Sequence, residues 1–280
     1  MRHYPSRDTP VAAEAFRRGT AAGILSTTPQ RVAHALSRSY LKDPVETSVN
    51  AFLINTGSKL VLVDAGSGTL FGPTLGKLGA NLRAAGYQPE QIDEIYITHM
   101  HADHVGGLTA DGKALFPNAI VRADQREADY WLNQKNLDAA PAEAKDFFRG
   151  AMASLQPYVE SGRFKPFDGD TELAAGIRAV AARGHTPGHA VFVVESEGRK
   201  LVLWGDLMHV AAVQFPDPSV TIQFDVDSKA AALQRRKAFA AAARQGLWVG
   251  ASHLSFSGLG HLRPDGKGYD WIPANYAVPR

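Results

Sequence analysis

The run His99-Met100-His101-Ala102-Asp103-His104 places four side chains that can bind a metal ion within six residues. It directly follows Glu94-Ile95-Tyr96-Ile97-Thr98, a short apolar run that predicts a buried strand. In α/β sheets, the loops after the carboxyl ends of strands gather binding groups. Successive side chains of a strand point to opposite faces, whereas those of an irregular loop can converge. The run therefore predicts a metal site at one edge of a sheet.

Three further residues that can bind a metal lie at other predicted junctions between strands and loops. His185 stands in Gly184-His185-Thr186-Pro187-Gly188-His189 just before a strand, Asp206 follows a strand, and His253 follows the last predicted strand. Imidazole and carboxylate ligands suit zinc, manganese, iron or cobalt. Because the chain has no cysteine, it supplies no thiolate ligand, disulfide or cysteine nucleophile.

The hydrophobic pattern predicts strands alternating with helices. Strands are predicted at residues 49–55, 59–64, 94–98, 119–123, 177–181, 190–195, 200–204 and 247–251. Helices are predicted at residues 74–85, 124–132, 142–155 and 228–244. The hairpins at 51–64 and 191–206 have similar sequences, which favours a pseudo-symmetric αββα sandwich. Chance similarity between two hydrophobic hairpins is the alternative.

The composition, 45% hydrophobic over 280 residues, suits a globular protein with a substantial core. No stretch rich in proline, glycine, serine or charge divides the chain, so we expect one domain at 41–280 after an atypical segment at 1–40. A helix is predicted at 11–18 in this segment. Arg17-Arg18 precede a short, interrupted apolar stretch, so we expect a cytoplasmic protein, with periplasmic export as the alternative.

The charges are nearly balanced, with 30 Lys+Arg against 28 Asp+Glu and a formal net charge of +2. The basic residues are scattered and form no run that tracks phosphates, so nucleic acid is not an expected partner. No apolar run approaches the roughly 18 residues of a membrane span, so no membrane partner is expected.

The run at 99–104, followed by Val105-Gly106-Gly107, resembles the H-x-H-x-D-H-x-G-G signature of the metallo-β-lactamase superfamily. Gly-His-Thr-Pro-Gly-His, Gly-Asp and a late histidine follow in the order of that family. Residues 45–276 are similar to its methyl parathion hydrolase and lactonase branch, above all at 210–220 and 251–256. The resemblance implies two mixed sheets flanked by helices, a homodimer, and two divalent ions, expected to be zinc, with manganese, iron or cobalt as alternatives.

The resemblance also implies a role for each site residue. One ion would be held by His99, His101 and His185, the other by Asp103, His104 and His253, and Asp206 would bridge both. Asp64 and His189 would orient ligands without binding metal. A hydroxide shared by the two ions is the expected nucleophile, which gives Asp103 and Asp206 a part in catalysis.

The metal motif leaves the substrate open, because the same hydroxide attacks carboxyl esters and organophosphate triesters. Phe71, Trp131 and Phe147 match aromatic pocket positions of the parathion hydrolases, although Trp131 and Phe147 also suit the core face of helices. His209, Ile222 and Phe224 depart from that pattern and indicate a bulkier, more polar pocket. We therefore expect lactone and aryl-ester hydrolysis first and triester hydrolysis second. His209 is either a proton donor to the leaving alkoxide or a pocket wall.

Two alternatives remain at this point. A methyl-parathion-hydrolase-type triesterase is the alternative within the same chemistry. A catalytically inactive metal-binding scaffold is the alternative of another class. The residues argue against two other classes of the superfamily. Oxidoreductase members resemble H-x-E-x-D, with a carboxylate where this chain has His101. Glyoxalase II enzymes carry a helical domain after the last ligand, and the 27 residues that follow His253 are too few for it.

Overall fold

The computed structural model describes residues 12–16, 20–72 and 74–275, with side chains from residue 20 onward. The strands, in chain order, are β1 (Ala12–Phe16), β2 (Thr47–Asn55), β3 (Leu60–Val63), β4 (Glu94–Tyr96), β5 (Thr109–Ala110), β6 (Lys113–Ala114), β7 (Ile120–Arg122), β8 (Thr171–Ala174), β9 (Ile177–Ala181), β10 (Ala190–Ser196), β11 (Arg199–Leu203), β12 (Trp248–Gly250), β13 (Leu259–Asp265) and β14 (Gly268–Pro273). The α-helices are α1 (Ala21–Ile24), α2 (Pro29–Arg38), α3 (Leu78–Ala84), α4 (Ala102–Val105), α5 (Gln125–Trp131), α6 (Gln134–Ala139), α7 (Lys145–Glu160), α8 (Ala211–Gln214) and α9 (Ser228–Gln245).

Two mixed sheets form the centre of the described structure. The first has the order β1-β2-β3-β4-β7, and the second has the order β14-β13-β12-β11-β10-β9-β8. Strands β3, β4 and β7 run parallel to one another, as do β11 and β12, and the other neighbours are antiparallel. Helices cover both outer faces, so the αββα sandwich that the sequence predicts is confirmed.

The two similar hairpins pack against each other between the sheets. Phe52 lies opposite Val63 in the first hairpin, and Phe192 lies opposite Leu203 in the second. All four side chains are buried in one hydrophobic cluster. Burial of each such side chain stabilises the fold by about 1.5–3 kcal/mol, so this contact holds the two halves together.

The helices cover the sheets with apolar faces. Leu82 of α3, Trp131 of α5 and Leu155 of α7 are buried in one cluster with the first sheet. Phe239 of α9 is buried against the second sheet and stacks on Trp204, with ring centroids 5.1 Å apart. These helices therefore bury the outer face of each sheet.

The N-terminal segment departs from its prediction. Residues 12–16, predicted as part of a helix at 11–18, form β1 and pair antiparallel with β2; residues 11, 17 and 18 lie outside the described part. Alanine favours a helix locally, but the unpaired edge of β2 offers backbone hydrogen bonds that override this preference. Helix α2 starts at Pro29 after a Thr28 cap and buries Val32 and Leu36 against Val213.

Three other boundaries also differ. The helix predicted from residue 74 begins at Leu78, because Gly76 has a left-handed φ of 78° that no helix contains. The helix predicted at 142–155 starts as a turn of 3₁₀ helix and continues to Glu160. The strand at 248–250 is not the last one, since β13 and β14 follow it.

In the part of the chain that the structure describes, no helix combines the length and apolarity needed to cross a bilayer.

Candidate metal centre

Parallel strand pairs bring the predicted ligands to one edge of the sandwich. Asp64 follows β3, and the run that begins with His99 follows β4, its parallel neighbour. Asp206 follows β11 and His253 follows β12, which are parallel neighbours in the second sheet. His185 lies in the loop between β9 and β10. Neighbouring parallel strands end at the same edge of a sheet, which explains how residues more than 150 positions apart meet here.

A first group consists of His99, His101, His185 and Asp206. The Nε2 atoms of His99 and His185 each lie 3.1 Å from Nδ1 of His101. Oδ2 of Asp206 lies 3.3 Å from Nε2 of His185 and 3.5 Å from Nε2 of His99. Four donor atoms therefore surround one point.

A second group consists of Asp103, His104, His253 and the same Asp206. The Nε2 atoms of His104 and His253 lie 3.1 and 3.0 Å from Oδ1 of Asp206. They lie 3.7 and 3.5 Å from Oδ2 of Asp103. Asp206 thus turns one carboxylate oxygen toward each group.

The two groups have the chemistry and spacing of a divalent-metal site. Tetrahedral zinc with bonds of about 2.0–2.1 Å to nitrogen separates its ligand atoms by about 3.3 Å. The distances between donor atoms given above, from 3.0 to 3.7 Å, lie around this value. Nε2 of His104 and Oδ1 of Asp206 are buried and form no hydrogen bond within the described residues, although they lie 3.1 Å apart. Leaving buried polar atoms in this state is costly without a further partner. The donor set therefore fits a metal pair.

Carboxylates raise the pKa of two histidines at the site. Burial alone would lower the pKa of His104, but the carboxylates of Asp206 and Asp64 raise it well above its ordinary value. Burial would likewise lower the pKa of His185, which hydrogen bonds to Asp206 and Asp225 raise to about 9. The carboxylates thus raise the pKa of both imidazoles in spite of burial, as expected where acidic groups are arranged around a cation position.

Four of the five histidines in the two groups donate their other ring nitrogen to a fixed acceptor. Nδ1 of His104 lies 2.8 Å from Oδ2 of Asp64, and Nδ1 of His185 lies 2.8 Å from Oδ1 of Asp225. The acceptors of His99 and His253 are Oγ1 of Thr98 at 3.1 Å and the carbonyl oxygen of Ser48 at 2.8 Å. Such partners fix the tautomer and direct the other nitrogen toward a metal.

The structure brings His189, predicted to orient ligands, against Asp206. Nε2 of His189 accepts the backbone N–H of Asp206 at 3.1 Å, and Nδ1 donates to the carbonyl oxygen of Ala182 at 3.2 Å. Burial lowers the pKa of His189 to about 3, with a further contribution from His185, so the ring is neutral and can accept. His189 therefore holds the backbone of the shared carboxylate.

Two buried carboxylates at the site were missed by the sequence interpretation. Asp225 holds His185, as described above, and Glu127 accepts backbone N–H groups of Met100 and Gly188. Asp225 follows a turn-like run without a motif. Glu127 follows Asp124 by three residues, a spacing typical of a helix start, which hid its other contacts.

The predicted pocket residues differ in how far they are buried. The ring of Phe147 lies 5.1 Å from that of His101 and 6.1 Å from that of Phe224, and both phenylalanines are half-buried. Trp131 also lies beside His101, at 5.2 Å, but it is 3% exposed and belongs to the core under the site. Ile222 is 2% exposed in the cluster around α2, whereas Phe71 is 38% exposed.

His209 lies directly against the shared carboxylate. Its Nε2 is 3.0 Å from Oδ2 of Asp206, and its ring stacks on that of His253 at 5.2 Å. Gln214 accepts the backbone N–H of His209 at 2.8 Å and so fixes its position. Burial lowers the pKa of His209 to about 4 in spite of Asp206, so the ring is neutral at pH 7.

Residues 44–246 of the chain match the model of a family described as the metallo-beta-lactamase superfamily. Among solved structures, the chain is similar to AbOPH, a hydrolase in the beta lactamase superfamily, with 37% identity, a TM-score of 0.89, and coverage of 95% of this chain and 94% of that one. It is also similar to AidC, a dizinc quorum-quenching lactonase, with 26% identity, a TM-score of 0.87, and coverage of 95% and 93%.

Curated proteins give shorter matches. An N-acyl homoserine lactonase of Bacillus cereus is 26% identical over 156 residues, which are 56% of this chain and 54% of that protein. A ribonuclease of Thermus thermophilus is 32% identical over 182 residues, which are 62% of this chain and 38% of the ribonuclease. The chain thus spans about half or less of these two relatives.

Proposed function

Because the chain belongs to the metallo-β-lactamase superfamily of hydrolases, we propose that it uses two divalent metal ions to hydrolyse lactones and aryl esters. The observation that carries the proposal is the position of Asp206, whose two carboxylate oxygens face two different groups of donors. A metal pair held in this way lowers the pKa of a shared water and polarises the oxygen of the scissile group. Zinc is the ion we expect, as in the dizinc lactonase AidC.

We assign His99, His101 and His185 to one ion, Asp103, His104 and His253 to the other, and Asp206 to both. The orienting contacts support this assignment, because each leaves one ring nitrogen facing its group. We assign orienting roles to Asp64 and His189, and their contacts with His104 and with the backbone N–H of Asp206 support this.

Serine catalysis has little support at this site. Nδ1 of His253 faces the carbonyl oxygen of Ser48, and we assign its Nε2 to a metal ion, so each ring nitrogen has another partner. The ring therefore has no nitrogen left to take a proton from Ser252 or Ser255. We therefore propose water as the nucleophile.

The site residues suggest how a substrate would be placed. Phe147 and Phe224 offer aromatic surface beside the first group, suited to an aryl or acyl portion. Neutral His209 is a hydrogen-bond donor that narrows the space beside Asp206. A planar ester carbonyl fits such a narrowed site better than a tetrahedral phosphotriester, so we assign triester hydrolysis a secondary place.

Two relatives support lactones as a substrate class. AidC and the Bacillus cereus protein are described as lactonases, and the second acts on N-acyl homoserine lactones. We also propose that the chain belongs to the methyl parathion hydrolase branch and forms a homodimer. The division into an atypical segment at 1–40 and a domain at 41–280 is a further proposal.

The test is a comparison of kcat/KM for an aromatic lactone, an N-acyl homoserine lactone, an aryl acetate and a dialkyl aryl phosphotriester on one zinc-loaded preparation. We expect the lactones and the aryl ester to exceed the triester. A clear triester preference would contradict the substrate order, and failure on the whole panel with two ions bound would favour an inactive scaffold.

A further inference from the structure

Glu127 is a buried acid that joins two loops of the metal centre. Its Oε2 accepts the backbone N–H of Met100 at 2.8 Å, and its Oε1 accepts that of Gly188 at 2.7 Å. Met100 lies between His99 and His101, and Gly188 lies three residues after His185. One carboxylate therefore spans the two loops that supply the histidines of the first group.

The local sequence makes this use of a glutamate unusual. Asp124 caps α5 by accepting the backbone N–H of Arg126 at 2.9 Å, and Glu127 occupies the third position of the helix. In a capping box, a glutamate there bonds back to the cap residue. The carboxylate of Glu127 instead points away from the start of its own helix, to the two loops. Burial raises its pKa, and the two backbone hydrogen bonds oppose that effect and satisfy the buried oxygens.

The loop containing Gly188 is shaped to reach this carboxylate. A Cβ at position 188 would lie 2.7 Å from the backbone nitrogen of Glu127 and 3.0 Å from its Cγ, distances that contacts of real side chains do not reach without a shift. Only glycine therefore lets the loop approach closely enough for its N–H to be accepted. The same loop carries His185, whose Nε2 lies 3.1 Å from Nδ1 of His101.

The second group has different supports. Asp64 holds His104 and the carbonyl oxygen of Ser48 holds His253, and neither contact involves Glu127. The two groups thus share Asp206 but are positioned by separate outer contacts. Both loops that Glu127 holds carry histidines of the first group, whereas only the loop of Met100 carries residues of the second, so a change at position 127 should act more strongly on the first group.

We propose that Glu127 is a positioning residue that fixes the distance between His101 and His185 and thereby shapes the first group for its ion. This inference rests on the proposed two-metal function. Through its two acceptor oxygens, Glu127 keeps each loop at a fixed distance from the start of α5, so the three histidines of the first group are in place before an ion arrives.

The test compares Glu127→Gln with Asp129→Asn, a change of an exposed acid on the same helix. Glutamine has nearly the same volume, but an NH2 group replaces one of the two acceptor oxygens. That NH2 group would face a backbone N–H and could not accept a hydrogen bond from it. Crystals of each protein, equilibrated with zinc and a competing chelator, give the occupancy of each group from anomalous scattering. Chelator competition in solution gives the affinities.

We expect Glu127→Gln to weaken zinc at the first group by about 10–100-fold, the range for lost outer contacts, and to leave the second group filled. Asp129→Asn should match the wild type at both. Equal loss at both groups, or no loss at either, overturns the proposal. Glu127→Asp, whose shorter chain reaches only one loop, should fall between wild type and Glu127→Gln.

Amide hydrogen exchange in metal-free wild-type protein gives a readout that does not depend on zinc or on the folding of a variant. The N–H groups of Met100 and Gly188 should be protected, because both are bonded to Glu127. Exchange of both at the rate of exposed loop amides overturns the proposal. If wild-type protein binds no zinc while these amides are protected, the two-metal function fails and only the loop contact stands.

Discussion

Asp64 accepts Nδ1–H of His104 on Oδ2 at 2.8 Å, while Thr98 donates its backbone N–H to Oδ1 at 2.8 Å and its hydroxyl to Oδ2 at 2.9 Å. Asp64 has a left-handed φ of 59°, a conformation that few residues other than Gly, Asn and Asp adopt readily. The arrangement turns Nε2 of His104 toward Asp206. One carboxylate at the end of β3 thereby fixes a donor of the second group.

Asp64→Asn should weaken zinc binding at the second group by about 10–100-fold. Asparagine tolerates the left-handed backbone, but it has one acceptor oxygen in place of two, so its NH2 group would face either Nδ1–H of His104 or the backbone N–H of Thr98. Chelator competition measures the affinity. Asp111→Asn is the matched control, since Asp111 is exposed and also has a positive φ, of 49°. Wild-type affinity in Asp64→Asn would remove Asp64 from the account.

Asp206→Asn should reduce bound zinc from two ions per chain to one or none. The shared carboxylate offers one oxygen to each group, and an amide offers only one oxygen in all. Because a direct ligand matters more than an outer contact, we expect kcat/KM to fall by more than about 100-fold. Elemental analysis and an aryl-ester assay check both. A variant that kept two ions and wild-type activity would show that Asp206 is not shared.

His209→Leu should shift the ratio of kcat/KM values toward phosphotriesters and away from lactones. Leucine removes the hydrogen-bond donor beside Asp206 and makes that wall apolar. The ratio is measured on zinc-loaded protein with one lactone and one triester. His34→Leu, at an exposed position of α2, is the control and should leave the ratio unchanged. An unchanged ratio in His209→Leu would exclude His209 from substrate selection.

Glu94→Gln should lower the free energy of unfolding at pH 7 by about 1–3 kcal/mol, the range for hydrogen bonds to a charged group. Burial would raise the pKa of Glu94, but hydrogen bonds from Lys59 and Arg122 lower it below its ordinary value. A lowered folded-state pKa gives stability that is present above the unfolded pKa, about 4.3, and is lost as pH falls through the folded value. The difference between variant and wild type should therefore shrink below about pH 4.

Urea unfolding of metal-free protein in chelator, at several pH values, checks this difference without the metal centre. Glu195→Gln is the control from the similar hairpin, because Glu195 pairs with Lys200 at 3.2 Å while both side chains are about half exposed. Such pairs contribute little, so that variant should stay near the wild type at every pH. A difference for Glu94→Gln that grew on acidification would contradict the assigned pKa direction.

The sequence predicted the fold and the ligand candidates well where local pattern and tertiary contact agree. The strand before His99 is apolar and the run after it is polar, so both the strand and the loop could be recognised. The similar hairpins around Lys59 and Lys200 likewise indicated two halves, and both hairpins are present.

The sequence predictions fail where contacts with distant residues determine the local structure. Residues 12–16 have an alanine-rich composition typical of a helix, and only the edge of β2 makes them a strand. Strands β13 and β14 contain Gly260, Pro264 and Gly268, which mark turns in a sequence, although antiparallel pairing between the two strands holds them. Asp225 and Glu127 act through residues 40 and 27 positions away, which no local spacing reveals.

The proposed hydrolase needs two metal ions. The most direct test is kcat/KM for an aryl ester or lactone, measured on metal-free protein as zinc is added in known equivalents. We predict negligible activity without zinc and a rise that ends at two bound ions per chain. Full activity of metal-free protein, or a plateau at one ion, would contradict the account.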